Sequence, residues 1–228
     1  MGALVNRVFA LAVVVAVIAS VALHVKGLLR AGVVPERTVS EALAEFGPAA
    51  KRQFASICRK NNIPWPPKRI YLLAFKKERQ LEMWAGARTG AYVFLAEYPI
   101  LGISGKQGPK LKEGDRQVPE GFYRISALNP SSRYHLSLRV DYPNADDVKF
   151  AAIPRGQMGG DIYVHGSNVS IGCLAMGDDA IEEIFCLVAW AKDRKIIIGP
   201  VDLRTKRVAD DPRKLYPRLK KTLKKFPR

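Results

Sequence analysis

The sequence is poor in the residues that staple small folds or hold metals: its 228 residues include three cysteines and three histidines. Three cysteines cannot form a disulfide framework, and one is left over in any pairing. A Cys58 to Cys186 bridge is one arrangement. The more ordinary expectation is two small buried apolar residues, because Cys186 falls in the helical pattern of Ile181, Ile184, Phe185 and Val188. Zinc is equally ill supplied. One histidine and one cysteine make half a tetrahedral site, His24 lies in an apolar terminus, and no ligand spacing recruits Asp161 or Asp178, so no metal and no cofactor is expected. Internal repeats and long Gly/Ser or Gln/Asn tracts are absent, which excludes solenoid and low-complexity architectures. Acidic residues are also scarce, 21 against 37 lysines and arginines, for a formal charge of +16. Such a chain is drawn to anionic surfaces, yet it carries no zinc-knuckle, RNP or helix-turn-helix signature, and nucleic acid is not expected as a partner.

What is present begins with an apolar run from Val8 to Val25, interrupted by Ser20 and His24 and preceded by Arg7. It is long enough for a signal-peptide core or a membrane anchor, and both imply export. An uncleaved inner-membrane anchor is favoured. Lys26 and Arg30 on the far side leave the positive-inside rule without a preference. Residues 1–25 are therefore read as signal peptide or anchor, 26–60 as linker and helical lead-in, 61–203 as one catalytic domain, and 204–228 as a basic tail. That tail, RTKRVADDPRKLYPRLKKTLKKFPR, has two acids against many bases. It reads as solvated, or as touching a membrane face or an anionic wall polymer.

From Thr38 to Lys60 the pattern suggests two short helices broken at Gly47-Pro48. Pro64-Trp65-Pro66-Pro67 then ends helical structure, and short β-type segments follow. They run Arg69 to Lys76, Gln80 to Ala85, Ala91 to Leu101, Gly121 to Ile125, Tyr134 to Val140, Asp161 to Val164 and Lys195 to Leu203. A helix from Asp178 or Asp179 to about Lys192 is expected to be capped there, with Glu182 closing the cap reciprocally. Strand following strand without long helices between them indicates an α+β, mostly β domain built on antiparallel pairing.

The last of the early strands runs into His165-Gly166, and the loop from Ser167 to Gly172 delivers Cys173. A thiol attacks as thiolate, so a nearby imidazole and a helix N-terminus are the features that would activate it. Gly166 and Gly172 remove side chains beside both groups, and backbone N–H groups at Gly172 and Cys173 are candidates for an oxyanion hole.

His165-Gly166 followed by Ser170-x-Gly172-Cys173 resembles the signature of the YkuD-type L,D-transpeptidases. The likeness is closer to their YafK-like branch through the blocks Ser104 to Ile125, Asn129 to Asp147 and Val164 to Phe185, in that order, with Pro66 to Lys76 as a less specific fourth. It extends from about Ser40 to Leu203. The resemblance implies an antiparallel β-sandwich-like catalytic domain with a helix after the nucleophile loop and a short helical lead-in. It implies a cysteine enzyme acting on the diaminopimelate-containing stem peptides of peptidoglycan in the periplasm. By position Cys173 is the nucleophile and His165 the base, with the Gly166 carbonyl orienting the imidazole. Ser170 and His135, the latter part of a tyrosine-histidine pair with Tyr134, are expected to line the cleft, and Arg155 to hold a substrate carboxylate. Lys110, Lys112, Glu113 and Asp115 read as a charged loop nearby.

Two features depart from the broad signature: Ile171 stands where a second histidine is usual, and Leu174-Ala175-Met176 supplies no arginine after the cysteine. The His165 to Cys173 spacing is also short. All three resemble the branch that hydrolyses the link between wall and lipoprotein, so hydrolysis with a wall-linked lipoprotein as partner is expected ahead of cross-link formation. A non-catalytic wall-binding scaffold is the alternative of another class.

Overall fold

Thr38 starts the first described helix for a local reason. Its hydroxyl accepts the Glu41 N–H while the Glu41 carboxylate accepts the Thr38 N–H, a reciprocal cap on α1 (Val39–Lys60). The computed structural model describes residues 36–209 and 213–227; the expected anchor at 1–25 lies outside them. No described helix is long and apolar enough to cross a membrane. The break expected at Gly47-Pro48 is absent, and α1 continues through Pro48. Proline there removes the bond to the Ala44 carbonyl, a local cost. Tertiary packing offsets it: Gly47 lies against the Trp190 ring, where a Cβ would come within 3.1 Å.

The strands are β1 (Arg69–Phe75), β2 (Gln80–Gly86), β3 (Tyr92–Pro99), β4 (Gly121–Ser132), β5 (His135–Val140), β6 (Tyr163–His165), β7 (Leu174–Ala175) and β8 (Asp193–Gly199). With α1 they are joined by α2 (Ala145–Lys149), α3 (Asp178–Trp190) and α4 (Leu215–Leu223). The sheet order is β3-β2-β1-β8-β4-β5-β6-β7. Pairing is mostly antiparallel, with β1·β8 and β6·β7 parallel. β4 is much longer than the expected Gly121 to Ile125. Its first residues pair with β8 and, past an irregularity at Ile125/Ala127, the rest pair with β5. This one bent strand joins the two halves of the sheet, as bulged strands do.

Side chains of β1 alternate between two cores. Ile70, Leu72 and Ala74 face the larger one, shared with α1 and α3, and Leu73 and Phe75 face a second. The second core corrects the expectation of a solvated basic tail. Leu215, Tyr216, Leu219 and Leu223 of α4, with Phe226, are buried there against Phe75, Trp84 and Ile197. The basic residues Arg218, Lys220, Lys221, Lys224 and Lys225 take the exposed positions. Charge density hid an amphipathic helix whose apolar stripe is as regular as any in the chain.

The cap of α3 also differs from expectation. Gly177 is the N-cap residue and makes no side-chain cap. Asp178 Oδ1 instead accepts the Ser167 N–H at 2.7 Å, and Glu182 accepts from His135. Both carboxylates hold neighbouring elements in place.

Candidate active site

β6 is short, but its register is fixed on both sides. Ser137 of β5 pairs with His165, and β7 pairs its Ala175 with the same residue on the other edge. The Gly166 N–H donates to the Leu136 carbonyl and the Met176 N–H donates to the His165 carbonyl. The imidazole is thus carried on a rigid strand end and is 2% exposed. Its Nδ1 lies 2.6 Å from the Gly166 carbonyl oxygen. A carbonyl only accepts, so Nδ1 carries the proton and Nε2 is left as the basic nitrogen. Gly166 admits no side chain: a Cβ would lie 2.5 Å from Asp178 Oδ1 and 2.6 Å from the Tyr134 carbonyl. The Tyr134 ring lies on the imidazole at 4.7 Å between centroids, tilted by 31°.

Cys173 and His165 line the same cleft, a cavity of about 200 Å³ whose other walls include Tyr134, Arg133, Tyr163 and Ser137. The thiol donates to the Asp161 carbonyl at 3.6 Å, not to the imidazole. The loop before it is held by two hydroxyls. Ser170 Oγ accepts the Cys173 N–H at 2.9 Å and donates to the Cys173 carbonyl at 2.7 Å, so Ser170 is placed in the turn and braces Cys173 from behind. Ser104 Oγ accepts the Gly172 N–H at 2.7 Å and donates to the Arg116 carbonyl. Both N–H groups expected to form an oxyanion hole are therefore engaged, and a substrate oxygen at this position has to displace the hydroxyls. Gly172 sits at φ +90°, a backbone conformation that a side chain would strain.

Two expected cleft residues are placed elsewhere. His135 Nε2 is 2.8 Å from Glu182 Oε1, and its ring packs edge-on against Phe46, so it ties β5 to α1 and α3. Tyr134 belongs to the turn and His135 opens β5 in a left-handed conformation, φ +70°, so the two side chains leave the chain in different directions. Arg155 is exposed on a single 3-10 turn (Arg155–Gln157) and is not among the residues lining the cleft. The charged loop is held inward: the buried Lys110 donates to Asp115 at 2.7 Å and to the Lys112 carbonyl. Among the described residues, no group of three or more His, Cys, Asp or Glu side chains is placed to hold a metal ion.

The family model for the L,D-transpeptidase catalytic domain YkuD matches residues 67–203, more than half of the chain and all of the cleft described above. The chain belongs to the YkuD family. A relative in Escherichia coli (strain K12), "Putative L,D-transpeptidase YafK", is 39% identical over 125 residues, 54% of this chain and 48% of its own. The chain thus spans about half the length of the curated relatives it matches. Among solved structures, the helical cell shape determining protein Pgp2 from Campylobacter jejuni superposes with a TM-score of 0.46 at 25% identity, over 66% of this chain and 54% of that one. Mycobacterium tuberculosis L,D-transpeptidase 1 superposes with a TM-score of 0.34 at 16% identity, over 57% of this chain and 62% of that one.

In this YkuD domain the residues that sequence reading passed over are Ser104, Arg133 and Tyr134 as cleft or loop partners, and Asp178 as the brace of the Gly166-Ser167 turn. Tyr134 stands in the turn before β5, and the left-handed conformation of His135 that parts the two side chains has no signature in the sequence. Ser104 is 68 residues from the amide it binds, a contact that no local pattern reports.

The protonation state of the pair follows from its burial. Burial pushes the Cys173 thiol above its ordinary 9.0, and the Tyr163 amide bonded to sulfur draws it part of the way back. Burial pushes His165 below 6.5, against the bond to Gly166. Both shifts favour uncharged forms, so at neutral pH the resting pair is thiol and imidazole. Thiolate accumulates only as pH rises through the raised value, and imidazolium only as pH falls through the lowered one. Alkylation of Cys173 by iodoacetamide is accordingly expected to climb continuously from pH 7 past pH 9. A plateau already reached below neutrality would mean a preformed ion pair and contradict this assignment. Cys58 and Cys186, pushed up to about 11 and about 12 and fully buried, should stay unmodified in the folded protein.

Proposed function

We propose that the chain is a cysteine-dependent peptidoglycan-remodelling enzyme of the bacterial envelope, acting in the periplasm on diaminopimelate-containing stem peptides. The observation that carries this reading is the cleft that pairs Cys173 with an imidazole whose Nδ1–H is held by the Gly166 carbonyl. In the proposed reaction Cys173 Sγ attacks the acyl carbon of diaminopimelate as His165 Nε2 takes the thiol proton. The C–N bond then breaks, the proton passes to the departing amine, and a thioester remains. The Gly166 carbonyl does the orienting that a carboxylate does in other triads.

The thioester is resolved by water or by an amine, and the acceptor side decides which. Here that side offers an amine little. Ile171 is 75% exposed where the broad family signature has a histidine, and Leu174-Ala175-Met176 supplies no arginine after the cysteine. We therefore assign net hydrolysis, with a wall-linked lipoprotein as the released partner and the N-terminal segment as the tether to the inner membrane. Incubating the full chain with lipoprotein-bearing sacculi, and separately with tetrapeptide fragments, tests this by mass spectrometry. Released lipoprotein and shortened stems are expected; new cross-linked dimers without release would overturn the hydrolytic assignment.

A further inference from the structure

The cleft has one permanently charged side chain on its walls, Arg133. It sits in the connection between β4 and β5, at a tip that local hydrogen bonds shape. The Ser131 N–H donates to Asn129 Oδ1 at 2.9 Å and the Tyr134 N–H donates to Ser132 Oγ at 3.1 Å. Because the next residue, Tyr134, lies on the catalytic imidazole, the tip holds Arg133 at the mouth of the site. The other cation near the sulfur, Lys110, is locked onto Asp115. Arg139, on the neighbouring strand, is 3.5 Å from Asp161. Among the described residues Arg133 has no hydrogen-bond or ion-pair partner. A planar guanidinium left open beside a nucleophile is suited to bidentate capture of a carboxylate.

The proposed substrate brings such a group. The diaminopimelate unit presents the attacked carbonyl at one end and a free carboxylate with its ammonium at the other, and a tetrapeptide stem adds a terminal carboxylate. Resting on the functional reading above, we infer that Arg133 is a specificity-determining residue that binds a substrate carboxylate beside the scissile bond. It supplies from the β4–β5 tip the guanidinium that the segment after Cys173 lacks. Arg155, proposed for this role from sequence, is set on an exposed turn that does not line the cleft.

The test pairs protein variants with substrate variants. Full-length parent, Arg133→Gln, Arg133→Lys and the charge control Arg59→Gln, in the exposed last turn of α1, are assayed on three tetrapeptides. One has both carboxylates free, one is amidated on the diaminopimelate side chain, and one is amidated at the C-terminus. With the free peptide, Arg133→Gln should raise KM about 10- to 100-fold, with kcat changed much less. Arg133→Lys should recover part of the loss and Arg59→Gln should match the parent. Amidating the recognised carboxylate should cost the parent the same factor and cost Arg133→Gln nothing more, which identifies the carboxylate as well as the residue. A merely structural role would give losses that multiply, and that result, or an unchanged KM in Arg133→Gln, overturns the inference while leaving the functional reading intact. No turnover of any stem peptide by the parent overturns both.

Discussion

Cys173→Ala is expected to lower turnover of stem-peptide substrates by about 10⁴-fold or more, the scale on which covalent catalysts lose rate when their nucleophile is removed. Cys58→Ala and Cys186→Ala should keep kcat close to that of the parent. The contrast follows from placement: Cys173 alone of the three lines the cleft with His165, whereas Cys58 and Cys186 are fully buried among apolar side chains. Those two variants lose only a small buried sulfur each, so their cost falls on stability, on the order of 1 kcal/mol. The parent incubated briefly with substrate should also gain the mass of an acyl group on the peptide containing Cys173. A wall-binding scaffold with a vestigial thiol makes the opposite demand: all four proteins would behave alike and none would carry an adduct. Equal turnover in the parent and Cys173→Ala removes the cysteine mechanism outright.

How much of this was legible beforehand depends on the range of the interactions involved. The strand beginning at Arg69, the hairpin to β2, the helix after Cys173 and the His165-Gly166 strand end are local patterns, and alternation or turn residues reveal them. The contacts that complete the site are long-range. Nothing in the sequence near Gly172 points to Ser104, and a glutamate three residues after Asp179 reads as a cap until His135 is found beside it. Gly47-Pro48 reads as a break because the Trp190 ring it accommodates lies far along the chain. Burial also reverses an expectation about the thiol: proximity to a histidine suggested a stabilised thiolate, whereas desolvation of both groups holds them neutral. Arg133 was passed over for the opposite reason. An arginine in an Asn-Pro-Ser-Ser turn looks solvated, and only the fold of Tyr134 onto His165 brings the tip to the cleft.

The C-terminal segment carries the other large effect: a chain ending at Leu203 is expected not to fold, although the sequence there reads as a solvated or surface-binding basic tail. Five buried side chains leave with the truncation, Leu215, Tyr216, Leu219, Leu223 and Phe226. At roughly 1.5–3 kcal/mol each this loss approaches the whole stability of an ordinary domain, about 5–15 kcal/mol. It also uncovers Trp84 and Phe75 on the sheet. Two buried carboxylates lose partners as well. Arg204 donates to Glu82 at 2.6 Å and Tyr216 donates to Glu120 at 2.8 Å, and each hydrogen bond to a charged group contributes about 1.5–3 kcal/mol. Glu120 is also the acceptor for Lys76, whose ammonium holds the Gly108 and Val118 carbonyls of the loop that carries Ser104. The tail therefore supports the loop that meets Gly172 as well as the second core. Thermal unfolding by circular dichroism checks the size of the effect: Leu219→Ala and Leu223→Ala should each lose about 2–5 kcal/mol, and the truncated chain should show no cooperative transition. A truncated protein that melts cooperatively within a few degrees of the parent would show that α4 is an appendage, and the link from tail to active-site loop would fall with it.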